Sequence, residues 1–259
     1  MSKKVLKSSY KRILEVSDDA KQITMPDSRY YQRNGDYYPS ITYVLGAYPK
    51  GKYFEDWLKK VGYASEHIVR KAADQGTETH EMIEDYLNGK ELNFLSPKGY
   101  PQYDTLVWQM FLRFVDFWEE YQPELIETEV HLFSDELKVA GTCDMVCKID
   151  GEIWIIDFKT SNHLQKTYDL QTAVYGKCYE ECFGITPDRY GVLWLKSNKR
   201  KGAKDKIQGK GWEMYESDRS QEENLEIFKT VKTLFDLENP THKPAFTSFR
   251  TSAKRVLGD

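Results

Sequence analysis

The spacing of apolar residues changes period along the chain, and each change predicts a different element. Residues 64 to 89 and 102 to 121 repeat at helical intervals: Ile83 and Leu87 extend one stripe, and Trp108, Phe111, Val115 and Trp118 line a second, longer helix. At Glu127 the period falls to two. Glu127-Thr-Glu-Val-His-Leu-Phe alternates as a strand, and the runs on either side of Asp150-Gly151 read as two more, because that dipeptide is a strong signal for a two-residue hairpin loop. A helix around Gln171, strands at Tyr190 and Trp212, and an amphipathic helix from Ser220 to Leu237 complete the pattern. The expected organisation is a polar leader over 1–37 and one α/β domain over 38–259, with a helical part at 38–125 and a sheet core at 126–216.

The hairpin carries the candidate chemistry. With Asp150 and Gly151 as the loop, Ile149 faces Glu152, and each step back along one strand meets one step forward on the other, so Asp144 falls opposite Asp157. Alternation puts Asp157 and Lys159 on one face and Trp154, Ile156 and Phe158 on the other. Directly opposed residues have Cβ atoms roughly 4.5–5.5 Å apart, and like charges held there destabilise a sheet. A divalent, oxygen-seeking cation between the carboxylates removes that repulsion, and Mg²⁺ is commonly held by carboxylates together with substrate phosphates. The other reading is a solvated hairpin face with Asp144 and Lys159 paired across the diagonal. The apolar run Trp154-Ile155-Ile156 and Phe158 weighs against it, since it suggests a strand buried on both faces, where an uncompensated charge is costly.

Other residues stand near this hairpin in the expected fold. His80 and Glu84 are four apart on one helix face; alone, His80 fits a satisfied structural histidine, but beside Asp144 and Asp157 a neutral imidazole reads as a metal ligand offered from the helix. Glu84 reads as a residue that orients His80 or holds a metal-bound water, the alternative being a solvated helix face. Glu129 lies on the alternating strand beside the hairpin; its face is not legible, and it stands as a supporting acid. Gln171 and Tyr175 again lie four apart, a spacing that on its own fits a structural pair.

At these residues a family resemblance emerges. Gly141-Thr142-x-Asp144 followed by Asp157-x-Lys159 resembles the second and third motifs of the PD-(D/E)XK nucleases. Gly76-x-x-x-His80-x-x-x-Glu84 and Gln171-x-x-x-Tyr175 are similar to motifs of the RecB-like branch, which includes the mitochondrial genome maintenance exonuclease and phage exonucleases. The four matches occur in the family's order, and the likeness spans residues 38 to 196.

The resemblance implies a restriction-endonuclease-like mixed central sheet flanked by helices, with helical N-terminal additions. It implies a metal-dependent DNA exonuclease acting on single strands or free ends in replication, recombination or repair. Asp144, Asp157 and Lys159 would be catalytic, and His80, Asp144, Asp157 and the Phe158 carbonyl would hold one or two Mg²⁺ or Mn²⁺ ions. Lys159 has two open roles, activating the attacking water or stabilising the transition state. Gln171 and Tyr175 would contact the DNA backbone or position the lysine. The alternatives are an endonuclease of the same fold, a non-catalytic single-strand binder and an interaction protein whose acidic hairpin is incidental.

Composition adds limits. A net charge of −4 argues against a uniformly basic DNA coat, but a nuclease needs only a local positive channel. The Gly- and Lys-rich loop from Asn198 to Gly211 offers one, with Lys199, Arg200 and Lys201 as candidate DNA contacts; its other reading is a solvated hairpin tip. Lys243 to Arg255 interleaves cations with Phe246 and Phe249, which suits single-stranded DNA or a docked tail. The four cysteines, at 143, 147, 178 and 182, fit neither a secreted disulfide framework nor a zinc site. They also lack the early and carboxyl-terminal positions that iron–sulfur relatives use, so no such cluster is expected. No stretch has the length and apolarity of a membrane span, and no signal-peptide core opens the chain. The expected location is the cytoplasm of a bacterial or phage-infected cell; a short transit peptide in the basic Met1–Arg12 segment is the alternative.

Overall fold

The segment expected as a leader contains strands in the computed structural model, which describes residues 6–8, 11–15, 20–25, 28–196, 211–241 and 243–244, with side chains from 29 onward. Strands β1 (Leu6–Ser8), β2 (Lys11–Glu15), β3 (Ala20–Met25), β4 (Ser28–Arg33) and β5 (Asp36–Pro39) form an antiparallel meander in that order. Its last turn explains itself. Asn34 and Gly35 have φ of 52° and 88°, the paired positive values of a type I′ hairpin, and Arg33 faces Asp36 across it. Tyr31 and Tyr38 from this hairpin pack on Phe133 and Ala140 in a small cluster of their own.

Helix α1 (Ile41–Leu45) follows, capped by the Ser40 hydroxyl accepting from the Tyr43 amide. Helices α2 (Lys52–Val61) and α3 (Ala64–Leu87) come next; α2 buries nothing fully, and the buried residues of α3 are Thr79, Met82 and Ile83 in its second half. Asp104 caps α4 (Thr105–Tyr121), which buries Val107, Met110, Phe111, Phe114 and Phe117.

The central sheet then forms from β6 (Glu124–Ser134), β7 (Val139–Ile149) and β8 (Glu152–Lys159) as an antiparallel meander. Helix α5 (Lys166–Phe183) crosses over to β9 (Arg189–Trp194), which pairs parallel to β8, and β10 (Glu213–Glu216) closes the edge antiparallel to β9. Helix α6 (Gln221–Glu238) starts in a capping box between Ser220 and Glu223. The sheet order is β10-β9-β8-β7-β6, a mixed sheet flanked by helices.

Each sheet face has its own core. Ile155 and Val146 meet Leu170, Val174 and Phe228 on the side of α1, α5 and α6. Met145, Trp154, Ile156 and Phe158 meet Ile83, Phe111 and Phe114 on the side of α3 and α4. Burial on both faces accounts for the nearly unbroken apolar run in β8. Among the described residues, no helix is long and apolar enough to cross a membrane.

Candidate metal centre

Asp150 and Gly151 adopt φ of 52° and 85°, and the β7–β8 ladder runs in step from Ile149 opposite Glu152 to Met145 opposite Ile156. There the ladder ends, one step short of Asp144 and Asp157. In a continued ladder Phe158 would exchange backbone hydrogen bonds with Cys143. Instead, the Phe158 amide donates to Asp144 Oδ2 at 2.6 Å. Because N–H and C=O of one strand residue share an edge, the Phe158 carbonyl points toward the same side.

The reason lies in β7 and its other neighbour. Cys143 belongs to one core and Met145 to the opposite one, although regular alternation would keep them on one face. The β6–β7 ladder keeps one register across this point, Thr128 opposite Met145 and Val130 opposite Cys143, but the rung between Glu129 and Asp144 is missing. Glu129 there has φ of 52°, a left-handed backbone that is uncommon for a residue other than glycine. Glu129 on β6, Asp144 on β7 and Asp157 on β8 thus stand at neighbouring positions where both ladders are interrupted.

Helix α3 approaches from the α4 side. Gly76 lies close enough to β8 that an added Cβ would meet Thr160 Oγ1 at 3.0 Å, so its bare backbone allows the helix to come near the strand end. One turn later, His80 Nδ1 sits 3.4 Å from Asp144 Oδ1 and its ring meets Phe158 edge-on. Ligand atoms of His80, Glu129 and Asp144 all lie within 4.8 Å of one another. Glu129, expected only as a supporting acid, therefore joins the cluster directly. Glu84 is half-buried one turn beyond His80 and outside this group of three, but its charge helps to raise the pKa of Glu129.

Asp157 and Lys159 face the other way, toward α5. Lys159 Nζ is 2.5 Å from Asp157 Oδ2, donates to Gln171 Oε1 at 3.1 Å and lies 4.7 Å from the centre of the Tyr168 ring. Gln171 Nε2 donates to Asp157 Oδ1 at 3.0 Å and to the Tyr175 hydroxyl at 2.8 Å. Gln171 and Tyr175 are only 5% and 3% exposed, and their polar atoms are turned inward onto this pair. Of the two expected roles, this inward packing is the arrangement that positions the lysine. Lys199, Arg200 and Lys201 lie outside the described residues.

Electrostatics follow from crowding three acids and two bases in a buried space. Burial, then the neighbouring Asp144, pushes Glu129 up to about 8 against the pull of His80. Burial and Asp144 likewise raise Asp157 to about 6, although Lys159 opposes them. For His80 burial works downward, but the Asp144 charge and contact outweigh it and carry the imidazole up to about 9. Burial would raise Asp144, yet His80, Lys159 and the Phe158 amide hold it below its ordinary value. Lys159 is raised in spite of burial because Asp157 and Asp144 face it.

These residues fit a divalent cation. Once His80 and Glu129 shed the protons that their raised pKa values hold, Glu129, Asp144 and Asp157 carry three negative charges against the single ammonium of Lys159, and their oxygens with one imidazole suit Mg²⁺ or Mn²⁺. The excess of acid is what a cation at His80, Glu129 and Asp144 would neutralise.

Sequence reasoning missed a second ring of residues. Tyr31 from β4 shares a 2.9 Å hydrogen bond with Thr142 Oγ1, and His131 Nδ1 lies 3.3 Å from the Glu129 carbonyl. A signal existed for Tyr31, since tyrosine pairs flank the Asn34-Gly35 turn.

The sequence profile of the PD-(D/E)XK nuclease superfamily matches residues 29–249. The chain belongs to that superfamily. Among solved structures it is similar to the "Putative exonuclease" from Eubacterium rectale, at 13% identity over 70% of this chain and 77% of that one, with a TM-score of 0.38. It is also similar to SSO0001, at 12% identity over 63% of this chain and 70% of that one, with a TM-score of 0.28. No match was found among the curated proteins.

Proposed function

We propose that the chain is a divalent-metal-dependent deoxyribonuclease of the RecB-like branch that removes nucleotides from free DNA ends, with single strands as its preferred substrate. The observation that carries this reading is the cluster of His80, Glu129 and Asp144, with Asp157 paired to Lys159 on the neighbouring strand. His80, Glu129, Asp144, Asp157 and the Phe158 carbonyl are the groups that would hold the ion or ions. Mg²⁺ or Mn²⁺ bound there supplies Lewis-acid polarisation of the scissile phosphate and a water of lowered pKa.

The chain's own residues divide the remaining work. Asp144 and Asp157 orient what binds between them, and Lys159 brings a fixed positive charge to the phosphoryl oxygens as negative charge develops. Of its two possible roles, stabiliser is favoured over base, because the acids around Lys159 strengthen its hold on the proton. Gln171 fixes the direction of both Asp157 and Lys159, and Tyr175 fixes Gln171. Such positioning matters because about 1 Å of misplacement can cost on the order of 10²-fold in rate.

Linear and circular single-stranded DNA of one sequence test the exonuclease reading. Expected is release of terminal nucleotides from the linear strand with Mg²⁺ or Mn²⁺, and an intact circle. Cleavage of the circle would replace exonuclease by endonuclease, and binding of both without cleavage would favour a non-catalytic single-strand binder. Parallel 5′ and 3′ labels on the linear strand report the direction of attack.

A further inference from the structure

The left-handed backbone at Glu129 needs support, because a non-glycine residue in that conformation is strained and persists only where its surroundings over-determine it. Two residues outside the acidic cluster provide it. His131 Nδ1 is 3.3 Å from the Glu129 carbonyl, a donor contact in the tautomer protonated on Nδ1, and it ties down the peptide that follows the strained residue. Tyr31, 1% exposed, then braces both strands at this point: its ring meets His131 edge-on at 5.4 Å, and its hydroxyl bonds Thr142 at 2.9 Å. His131 and Thr142 are themselves opposed across the β6–β7 ladder, two residues beyond the missing Glu129/Asp144 rung.

We infer that His131 and Tyr31 are positioning residues for metal binding: they clamp the interrupted rung so that the Glu129 carboxylate stays turned toward His80 and Asp144. The N-terminal meander thereby acts on the metal centre through one hydroxyl and one ring, without contributing a ligand. This inference rests on the metal reading of the His80, Glu129 and Asp144 cluster.

Calorimetric titration of Mn²⁺ into the full chain tests it, together with thermal unfolding of the metal-free protein. His131→Phe keeps a flat ring and loses the donor; His131→Asn keeps a donor where Nδ1 stood. Expected is a Mn²⁺ Kd raised at least about tenfold in His131→Phe and restored to within about threefold of the parent in His131→Asn, the range typical for groups that orient metal ligands. Tyr31→Phe, which loses only the hydroxyl, is expected to weaken Mn²⁺ binding several-fold and serves as the test if His131→Phe does not fold. Mn²⁺ affinity equal to the parent's in the folded variants, whatever their stability, would overturn the inference while leaving the metal reading intact. A parent that binds no Mn²⁺ would overturn both.

Discussion

Gly141 lies against the ring of Tyr175 so closely that a Cβ on it would come within 2.5 Å of Cε1 and within 2.9 Å of the Ile41 side chain. The Gly-Thr-x-Asp motif and the Gln-x-x-x-Tyr motif are therefore two halves of one packing contact. Tyr175 can approach β7 only because position 141 is bare, and its hydroxyl then accepts from Gln171. Gly141→Ala should cost about 1–3 kcal/mol through overpacking. In a Tyr175→Leu background the same change should cost less, by a coupling of about 1 kcal/mol or more in a double-mutant cycle followed by denaturant unfolding.

Gln171 makes the shared contact between acid and ammonium. Gln171→Leu keeps much of the volume but removes both the donor to Asp157 and the acceptor for Lys159. Single-turnover cleavage should slow by roughly 10–100-fold while DNA affinity stays near the parent's, because the buried amide touches no surface on which DNA could lie. A loss confined to affinity would return Gln171 to the role of DNA contact.

Glu129→Gln separates the charge of this acid from its shape. With its pKa near 8, Glu129 is mostly protonated at neutral pH in the metal-free protein, so the amide should leave thermal stability within about 0.5 kcal/mol of the parent. Mn²⁺ affinity should fall at least about tenfold, since a neutral amide replaces a carboxylate ligand. Thermal unfolding of the metal-free parent and variant checks the first statement, and calorimetric titration of Mn²⁺ checks the second.

The pH dependence has a definite sign. Glu129 and Asp157 rise from 4.5 and 3.8 when unfolded to about 8 and 6, and His80 rises from 6.5 to about 9. A raised group holds its proton in the folded state over a window where the unfolded chain has lost it, so metal-free stability falls as pH climbs through these windows. Asp144, held low, acts at the acid end, where its contribution disappears as pH drops through its folded pKa. Metal ligands must shed protons to bind. The increase in Tm produced by saturating Mn²⁺ should therefore be larger at about pH 8 than at about pH 6, with protons released on binding. An increase that is constant or shrinks with pH would count against these residues as the ligands.

Much of this centre is legible in the chain alone, for reasons tied to particular residues. Asp150-Gly151 dictates a tight turn, and the turn's register brings Asp144 and Asp157 to the end of the same ladder, one step past its last rung. The four-residue spacing of His80 and Glu84 puts both on one helix face. Glu129 is different: its inward turn depends on a left-handed backbone and a missing rung, which arise from β6, β7 and the His131 contact together and leave no mark in local alternation. The meander at the amino terminus was hidden by polar composition, although Asn34-Gly35 between tyrosine pairs was a usable hairpin signal. Gln171 and Tyr175 were recognisable as a pair, but only the packing of α5 against β7 and β8 reveals that both look inward.

The most direct test of the whole account is cleavage of an end-labelled single-stranded oligonucleotide by the purified chain and by Lys159→Ala, each with Mn²⁺ and with excess chelator. The parent should cut only with metal, and Lys159→Ala should bind the strand with unchanged affinity yet cut at least about 10²-fold more slowly, the magnitude seen when a preorganised charge at the reacting centre is removed. Cleavage that survives the chelator, or that proceeds at the parental rate without the lysine, would contradict it.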